Sequence, residues 1–464
     1  MSMLSEMFRE KVGKVKDASR FANKEMTYSV SYPVGILPID WAISYIQEIN
    51  GKLKAEVGIP DGTINTLIGN SGTGKTSLLV KMACNIIKPF KTSCIFFEQA
   101  ETTGVTIQRI KNITGFRTDE EFLKKFIVRD SGITIESILE RVLAIHDIKI
   151  NNPKKYLYDT GLIGPDGEKV FKFEPTVVIV DSLKLVPSLI NPVNQDTNNM
   201  TGAQTAKSHT ECFSKMLQLC KTANIIMILV NHIVKAVHTE RTPRKAEFTY
   251  LAQDEHLPNA TLLNYISNLM LRLDIKGKLI KDDDKNPFGI SGTLVNVDVV
   301  KSRTSTSGRA KCMLVYDQDL GYDSDLSTLL MLRMNNLIGK TSPYRIPGCD
   351  RKFTQKNFKN LLYTDPEFFN AFNNFCYDWV LRQWYDTYER AKIEAERMSA
   401  SQSTYDHIID RFNQFNNSNA TSLPESIYDN STAEEPSANT LESLTESAQD
   451  IGTAMADASV YDSN

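Results

Sequence analysis

One stretch constrains the fold of this chain more than any other: "TLIGNSGTGKTSLLVKMACNII", residues 66–87. It sets Gly69, Gly74, Lys75 and Thr76 in the order Gly-x4-Gly-Lys-Thr between two apolar runs, matching a phosphate-binding loop at every fixed position. "INTLI" before Gly69 predicts a short buried strand, and "SLLVKMACNII" after Thr76 has helical apolar spacing. Strand, glycine turn and helix are what an anion requires. The glycines let backbone N–H groups converge on it, and the helix N-terminus adds the positive end of its dipole. The expected cradle is Gly69, Asn70, Ser71, Gly72, Thr73, Gly74, Lys75, Thr76 and Ser77. Lys75 would reach the β- and γ-phosphates of a nucleotide, and the Thr76 hydroxyl would bind Mg²⁺. A second "GKT", Gly339 to Thr341, lacks the upstream glycine and the strand, and reads as a loop.

Further apolar strands follow. "TSCIFFEQAETTG" ends in acids, "TVVIVDSLKLV" carries Asp181 at its C-terminal end, and "NIIMILVNHI" closes on Asn231-His232. Helical patterns separate them, which implies a mainly parallel α/β sheet with ligands at the strand C-termini. "GTLVNVDVVKSR" and "AKCMLVYDQD", joined by a Ser/Thr/Gly turn, predict an antiparallel hairpin. Asp-Gly and Gly-Pro signals in residues 151–174 predict a hairpin insertion. The chain divides into an N-terminal helix and linker (1–32, expected to oligomerise), an α/β core (33–340), a small helical C-terminal region (341–412) and a disordered tail (413–464).

Asp181, after the apolar "VVIV", is placed to hold Mg²⁺ opposite Thr76. Glu98 and Glu101 are both candidates for the base that orients or deprotonates an attacking water, since phosphoryl transfer needs little beyond positioning and charge stabilisation. His232 stands where it can hydrogen-bond a γ-phosphate and relay its loss. Two long segments leave these strands. One, about 187–206, runs into Lys207; the other, about 234–260, holds Lys235, His238, Arg241, Arg244 and Lys245 with Phe248 and Tyr250. Long loops in a compact domain carry function or are disordered, and basic residues interleaved with aromatics suit single-stranded nucleic acid.

Composition narrows the class. Apolar residues make up 41% and charged residues 23% of 464, as in soluble globular proteins. Seven cysteines form no C-x-x-C pair and no zinc-like cluster with histidine, which argues against a disulfide framework and fits a reducing cytoplasm. No apolar run has the length of a membrane-spanning helix, so no membrane partner is expected. The net charge of −3 hides an asymmetry: nine acids and no Lys or Arg follow Arg411, leaving +6 (−3 + 9) on residues 1–411. A basic body with an acidic tail suggests a polyanion partner and a built-in competitor for it; a tail that only keeps the protein soluble is the alternative.

"GILPIDWAIS…GIPDGTINTLIGNSGTGKT" resembles the entry to RecA-type ATPases, and "VVIVDSL" and "LVNHI" are similar to their Walker B and sensor strands. "VVKSRTSTSGRAKCMLVYDQDLGYD" is similar to the paired strands near the end of their core. The Asn-His pair and the Lys-Ser-Arg-Thr string look most like the UvsX recombinases of tailed phages. The resemblance spans residues 33 to about 330. It implies a RecA-like P-loop ATPase that uses ATP and Mg²⁺, polymerises on single-stranded DNA as a helical filament and exchanges strands with double-stranded DNA. Single-strand-binding and mediator proteins are further implied partners. It assigns Lys75, Thr76 and Asp181 to phosphate and metal, His232 to sensing the γ-phosphate, and Glu101, in preference to Glu98, to catalysis. Lys301 and Arg303, two apart on a predicted strand, leave one face; the resemblance implies that they act on the neighbouring subunit's nucleotide. A hexameric helicase shares such a core but normally carries a large N-terminal helical domain, and a non-catalytic ATP-binding scaffold would not need Lys75, Thr76 and Asp181 intact.

Overall fold

The computed structural model describes residues 29–49, 51–101, 106–116, 118–164, 167–189, 199–235, 246–281, 286, 288–304, 311–339 and 341–400, apart from the side chains of 199–204 and 397–400. Most of the expected N-terminal segment and all of the acidic tail lie outside these residues.

Nine strands build one mixed sheet: β1 (Ile64–Gly69), β2 (Ile95–Gln99), β3 (Phe126–Arg129), β4 (Thr176–Asp181), β5 (Ile225–His232), β6 (Leu269–Leu279), β7 (Gly292–Ser302), β8 (Lys311–Asp317) and β9 (Gly321–Asp323). Their spatial order is β9-β8-β7-β6-β1-β5-β4-β2-β3. Neighbours from β6 to β3 are parallel, and β6 to β9 pair antiparallel. The expected mainly parallel sheet with an antiparallel hairpin is therefore present, with β7 and β8 as that hairpin. β3, β6 and β9 extend the sheet beyond the strands read from the sequence. In β6, "LMLRLDIKGKL", apolar and charged residues alternate, because only Leu269–Leu273 pairs with β1 and the rest runs on as a ribbon with β7.

The central strands are apolar without interruption because both faces are covered. Along β5, Ile226, Ile228 and Val230 enter one core while Ile225, Met227 and Leu229 enter the other. Along β4, Val177 and Ile179 face the first core, and Val178 and Val180 the second. The first core is closed by α1 (Leu37–Ile43), α2 (Lys75–Ile87) and α3 (Ile107–Thr114); the second by α4 (Ile135–Asn151), α5 (Asn199–Ala223) and α6 (Ala260–Ile266). Ahead of α1, the buried Asp40 carboxylate accepts the amide hydrogens of Val34 and Gly35 at 2.9 and 3.0 Å, which fixes the turn in "VGILPID".

A third core joins α7 (Ser324–Met334), α8 (Gln355–Thr364) and α9 (Pro366–Ala400) to Leu37 and Trp41 of α1, and Trp384 Nε1 donates to Trp41 O at 3.0 Å. The described residues as far as Lys392 form one compact unit, so the helical region packs as part of the body up to that point. The expected insertion is a hairpin of Leu157–Ile163 and Lys169–Phe173; residues 151 and 153–156, included in it by the turn signals, are helical. Among the described residues no helix is long and apolar enough to cross a membrane.

Candidate functional site

The loop between β1 and α2 is held from both sides. Gly69 leaves β1 so close to β6 that a Cβ on it would lie 2.4 Å from Leu273 O. Gly74 has φ 81°, and a Cβ there would lie 2.8 Å from Tyr322 Oη. Glycine is thus demanded twice, by close approach and by a left-handed backbone. α2 begins at Lys75, and its N-cap residue, Gly74, has no side chain to cap the first turn. Its free N–H groups and dipole therefore face the loop. The Lys75 ammonium folds back onto the loop, donating to Gly69 O at 3.0 Å and Asn70 O at 2.6 Å. Burial lowers its pKa to about 8, against the opposing pull of Asp181 and Glu101.

Strand parity brings the rest of the site together. Asp181 shares the face of Val177 and Ile179, and His232 that of Ile228 and Val230, which is the face covered by α2. Thr76 on α2 accordingly donates its hydroxyl to Asp181 Oδ2 at 2.5 Å. Asp181 is 4% exposed, and among the described residues its Oδ1 has no hydrogen-bond partner. Burial raises its pKa to about 6. Just past β2, Glu101 Oε1 lies 2.6 Å from His232 Nε2. Burial, then the Lys75 charge, lowers the His232 pKa, and the Glu101 contact opposes this. A carboxylate oxygen from each of Asp181 and Glu101 and a ring nitrogen of His232 lie within 4.8 Å of one another. Three strand ends thus aim two acids and an imidazole at one point beside Lys75.

This geometry fits a divalent ion held at Thr76 and Asp181. A buried carboxylate oxygen without a partner is costly unless a proton or a cation completes it.

Glu98 does not join the site, which corrects its candidacy as the catalytic acid. It pairs in register with Val180, one residue before Asp181. Its side chain therefore leaves the opposite face and is 1% exposed. There Arg129 Nε and Arg141 Nε each approach its carboxylate at 2.7 Å. The carboxylate is committed to two guanidinium groups that tie β2 to β3 and α4.

Of the residues expected to meet DNA, Lys207 is exposed on α5 with Glu211 at 3.9 Å, and Lys235 is exposed. Arg241, Arg244 and Lys245 lie outside the described residues. The flanks of their segment are anchored. Val234–Lys235 pairs with Glu255–His256, and Arg272 on β6 holds Glu255 through both carboxylate oxygens at 2.8 and 2.9 Å. Lys301 and Arg303 do leave one face, and within the chain they donate to Asn264 O and Tyr265 O in the last turn of α6. Cations suit that negative end of a helix.

The far wall of the loop carries no local sequence signal. Tyr322 Oη donates to Thr73 O at 3.1 Å, and Tyr316 Oη lies 3.4 Å from Ser77 Oγ. Arg109 Nη2 donates to Tyr316 Oη at 3.0 Å. Separations of 249, 239 and 207 residues leave no local signal for these contacts.

Comparison of the sequence with known protein families and with curated proteins finds no match.

Proposed function

We propose that this chain is an ATP-hydrolysing protein of the RecA-like P-loop class. Within that class, the reading favoured is a strand-exchange recombinase of the UvsX kind. It would polymerise on single-stranded DNA, pair it with double-stranded DNA, and work with single-strand-binding and mediator proteins in the cytoplasm, that of the host cell if the chain is phage-encoded. The observation that carries the proposal is the meeting of Lys75, Thr76, Asp181, Glu101 and His232 beside a glycine-shaped loop. The segment rich in Lys and Arg opens at Lys235, next to that meeting point.

In this reading the phosphates lie over residues 69–77, within reach of the α2 amides and the Lys75 ammonium. Thr76 and Asp181 hold Mg²⁺, which when bound neutralises phosphate charge. Glu101 orients the attacking water and accepts its proton as the water oxygen bonds the γ-phosphorus and the bond to ADP breaks. His232, already in contact with Glu101, is placed to register the γ-phosphate. One residue past the end of β5 the chain enters the short strand Val234–Lys235, so a shift at the phosphate has a short route to the base of the basic segment. Lys75 and Asp181, each 4% exposed, are buried enough that water screens their charges little.

The test is ATP turnover by the full chain with and without single-stranded DNA, together with negative-stain images of the ATP- and DNA-bound protein. The expected result is DNA-stimulated hydrolysis and filaments. Rings would favour the helicase alternative, and an absence of both ATP binding and turnover would remove the class assignment.

A further inference from the structure

The contact between Glu101 and His232 raises a separate question: why an imidazole stands among these carboxylates. Mg²⁺ is a hard ion that takes oxygen ligands and gives up its waters reluctantly, so it has little use for a ring nitrogen. Imidazole with carboxylates suits Zn²⁺, Co²⁺ and their neighbours. Here the three side chains come from the ends of β2, β4 and β5, and their ligand atoms lie within 4.8 Å of one another. Ligands on one such ion sit about 2.0–2.2 Å from it, so only small side-chain movements separate this arrangement from a bound one.

A second observation points to a cation. Asp181 is 4% exposed, yet among the described residues its Oδ1 has no hydrogen-bond partner, while Oδ2 is taken by the Thr76 hydroxyl. Among the described residues neither Asp181 nor Glu101 forms an ion pair with a lysine or arginine. The nearby Lys75 ammonium is spent on Gly69 O and Asn70 O instead. Two carboxylates that pair with no lysine or arginine among the described residues, and one ring nitrogen, make a donor set for a doubly charged ion.

We infer that, with no nucleotide bound, His232, Glu101 and Asp181 form a binding site for a divalent transition-metal ion of the Zn²⁺ or Co²⁺ type. The ion replaces the short contact between Glu101 Oε1 and His232 Nε2, and Asp181 supplies the third ligand. The site itself stands on geometry alone. Its consequence rests on the ATPase reading: the Mg²⁺–nucleotide complex needs Asp181 and Thr76, so nucleotide and transition metal exclude each other.

The experiment titrates Co²⁺ into the full chain without nucleotide, followed by visible absorption and calorimetry. Expected are one saturable ion per chain and a spectrum of nitrogen and oxygen ligation. His232→Asn and Glu101→Gln should each weaken binding by at least about tenfold, as loss of a direct ligand costs no less than loss of its support. Glu101 is partly exposed, so its variant keeps the test readable if His232→Asn folds poorly. Absence of saturable binding would overturn the inference. So would a thiolate charge-transfer band, which would place the ion on cysteines such as the partly exposed Cys84 and Cys94. Unchanged affinity in both variants would do the same. A fluorescent ATP analogue with Mg²⁺, measured separately, should displace the Co²⁺. If the analogue does not bind at all, the ATPase reading fails while the Co²⁺ titration still decides the metal site. If it binds together with the Co²⁺, the shared-ligand site is refuted.

Discussion

Glu98 and Glu101 stand three residues apart, and their glutamine variants should fail in opposite ways. Glu98 is buried between two guanidinium groups, which are 24% and 23% exposed. Glutamine there leaves both cations facing a neutral amide. Breaking a fully buried pair costs about 3–5 kcal/mol, and partial hydration of the arginines brings the expected loss to about 2–3 kcal/mol. With a urea dependence near the upper end for single domains, the midpoint should fall by about 1 M. Turnover per folded molecule should hardly change, because Glu98 lies across the sheet from Asp181. The Glu101 side chain, 30% exposed, lies 2.6 Å from His232 Nε2, and glutamine can keep that hydrogen bond. Its variant should therefore unfold within about 0.5 kcal/mol of the parent. If it is the general base, turnover should drop by about 10²–10⁴-fold with ATP binding intact. The assay pairs urea denaturation with ATP hydrolysis normalised to folded protein. A stable Glu98→Gln that no longer hydrolyses ATP, beside an active Glu101→Gln, would refute the parity argument.

Asp181 has its pKa raised to about 6 by burial, so its ionised form strains the folded nucleotide-free protein above that pH. Asp181→Asn should then stabilise that protein by about 1–3 kcal/mol at pH 8, with the gain shrinking as pH falls through about 6 and gone near pH 4. Denaturation across that range checks it; a destabilised variant at pH 8 would mean that the carboxylate is already compensated. Substituting Lys301 and Arg303 together with Ala should abolish DNA-stimulated turnover while ATP still binds. Mixing that variant with Lys75→Ala should restore activity if the site is shared between subunits, and a silent mixture despite co-assembly would count against sharing. Neutralising Arg241, Arg244 and Lys245 should weaken single-stranded DNA binding and flatten its salt dependence, since fewer counterions are released. An unchanged slope would exclude these residues from the phosphate contacts.

What the sequence determined by itself is local. A fixed glycine spacing flanked by apolar runs dictates strand, loop and helix. Runs such as "TVVIVD" and "IIMILVNH" announce strands covered on both faces. Residues at the ends of those strands were readable as candidates, because in a parallel sheet the C-terminal ends share one edge. β6 carries the apolar–polar alternation of a half-buried strand, but its place beside the loop was decided by the parallel pairing of Leu269–Leu273 with β1. Which face each side chain takes was decided by register. Val180 opposite Glu98 and Asp181 opposite Gln99 turn one glutamate into a structural ion pair. Glu101, just beyond the paired strand, is left beside His232. The tyrosine wall at Thr73 and Ser77, the Arg272 clamp on Glu255 and the docking of Lys301 and Arg303 on the last turn of α6 likewise depend on the tertiary structure. Each joins segments whose pairing is set by how the sheet stacks, and periodicity along one segment carries no information about what will face it.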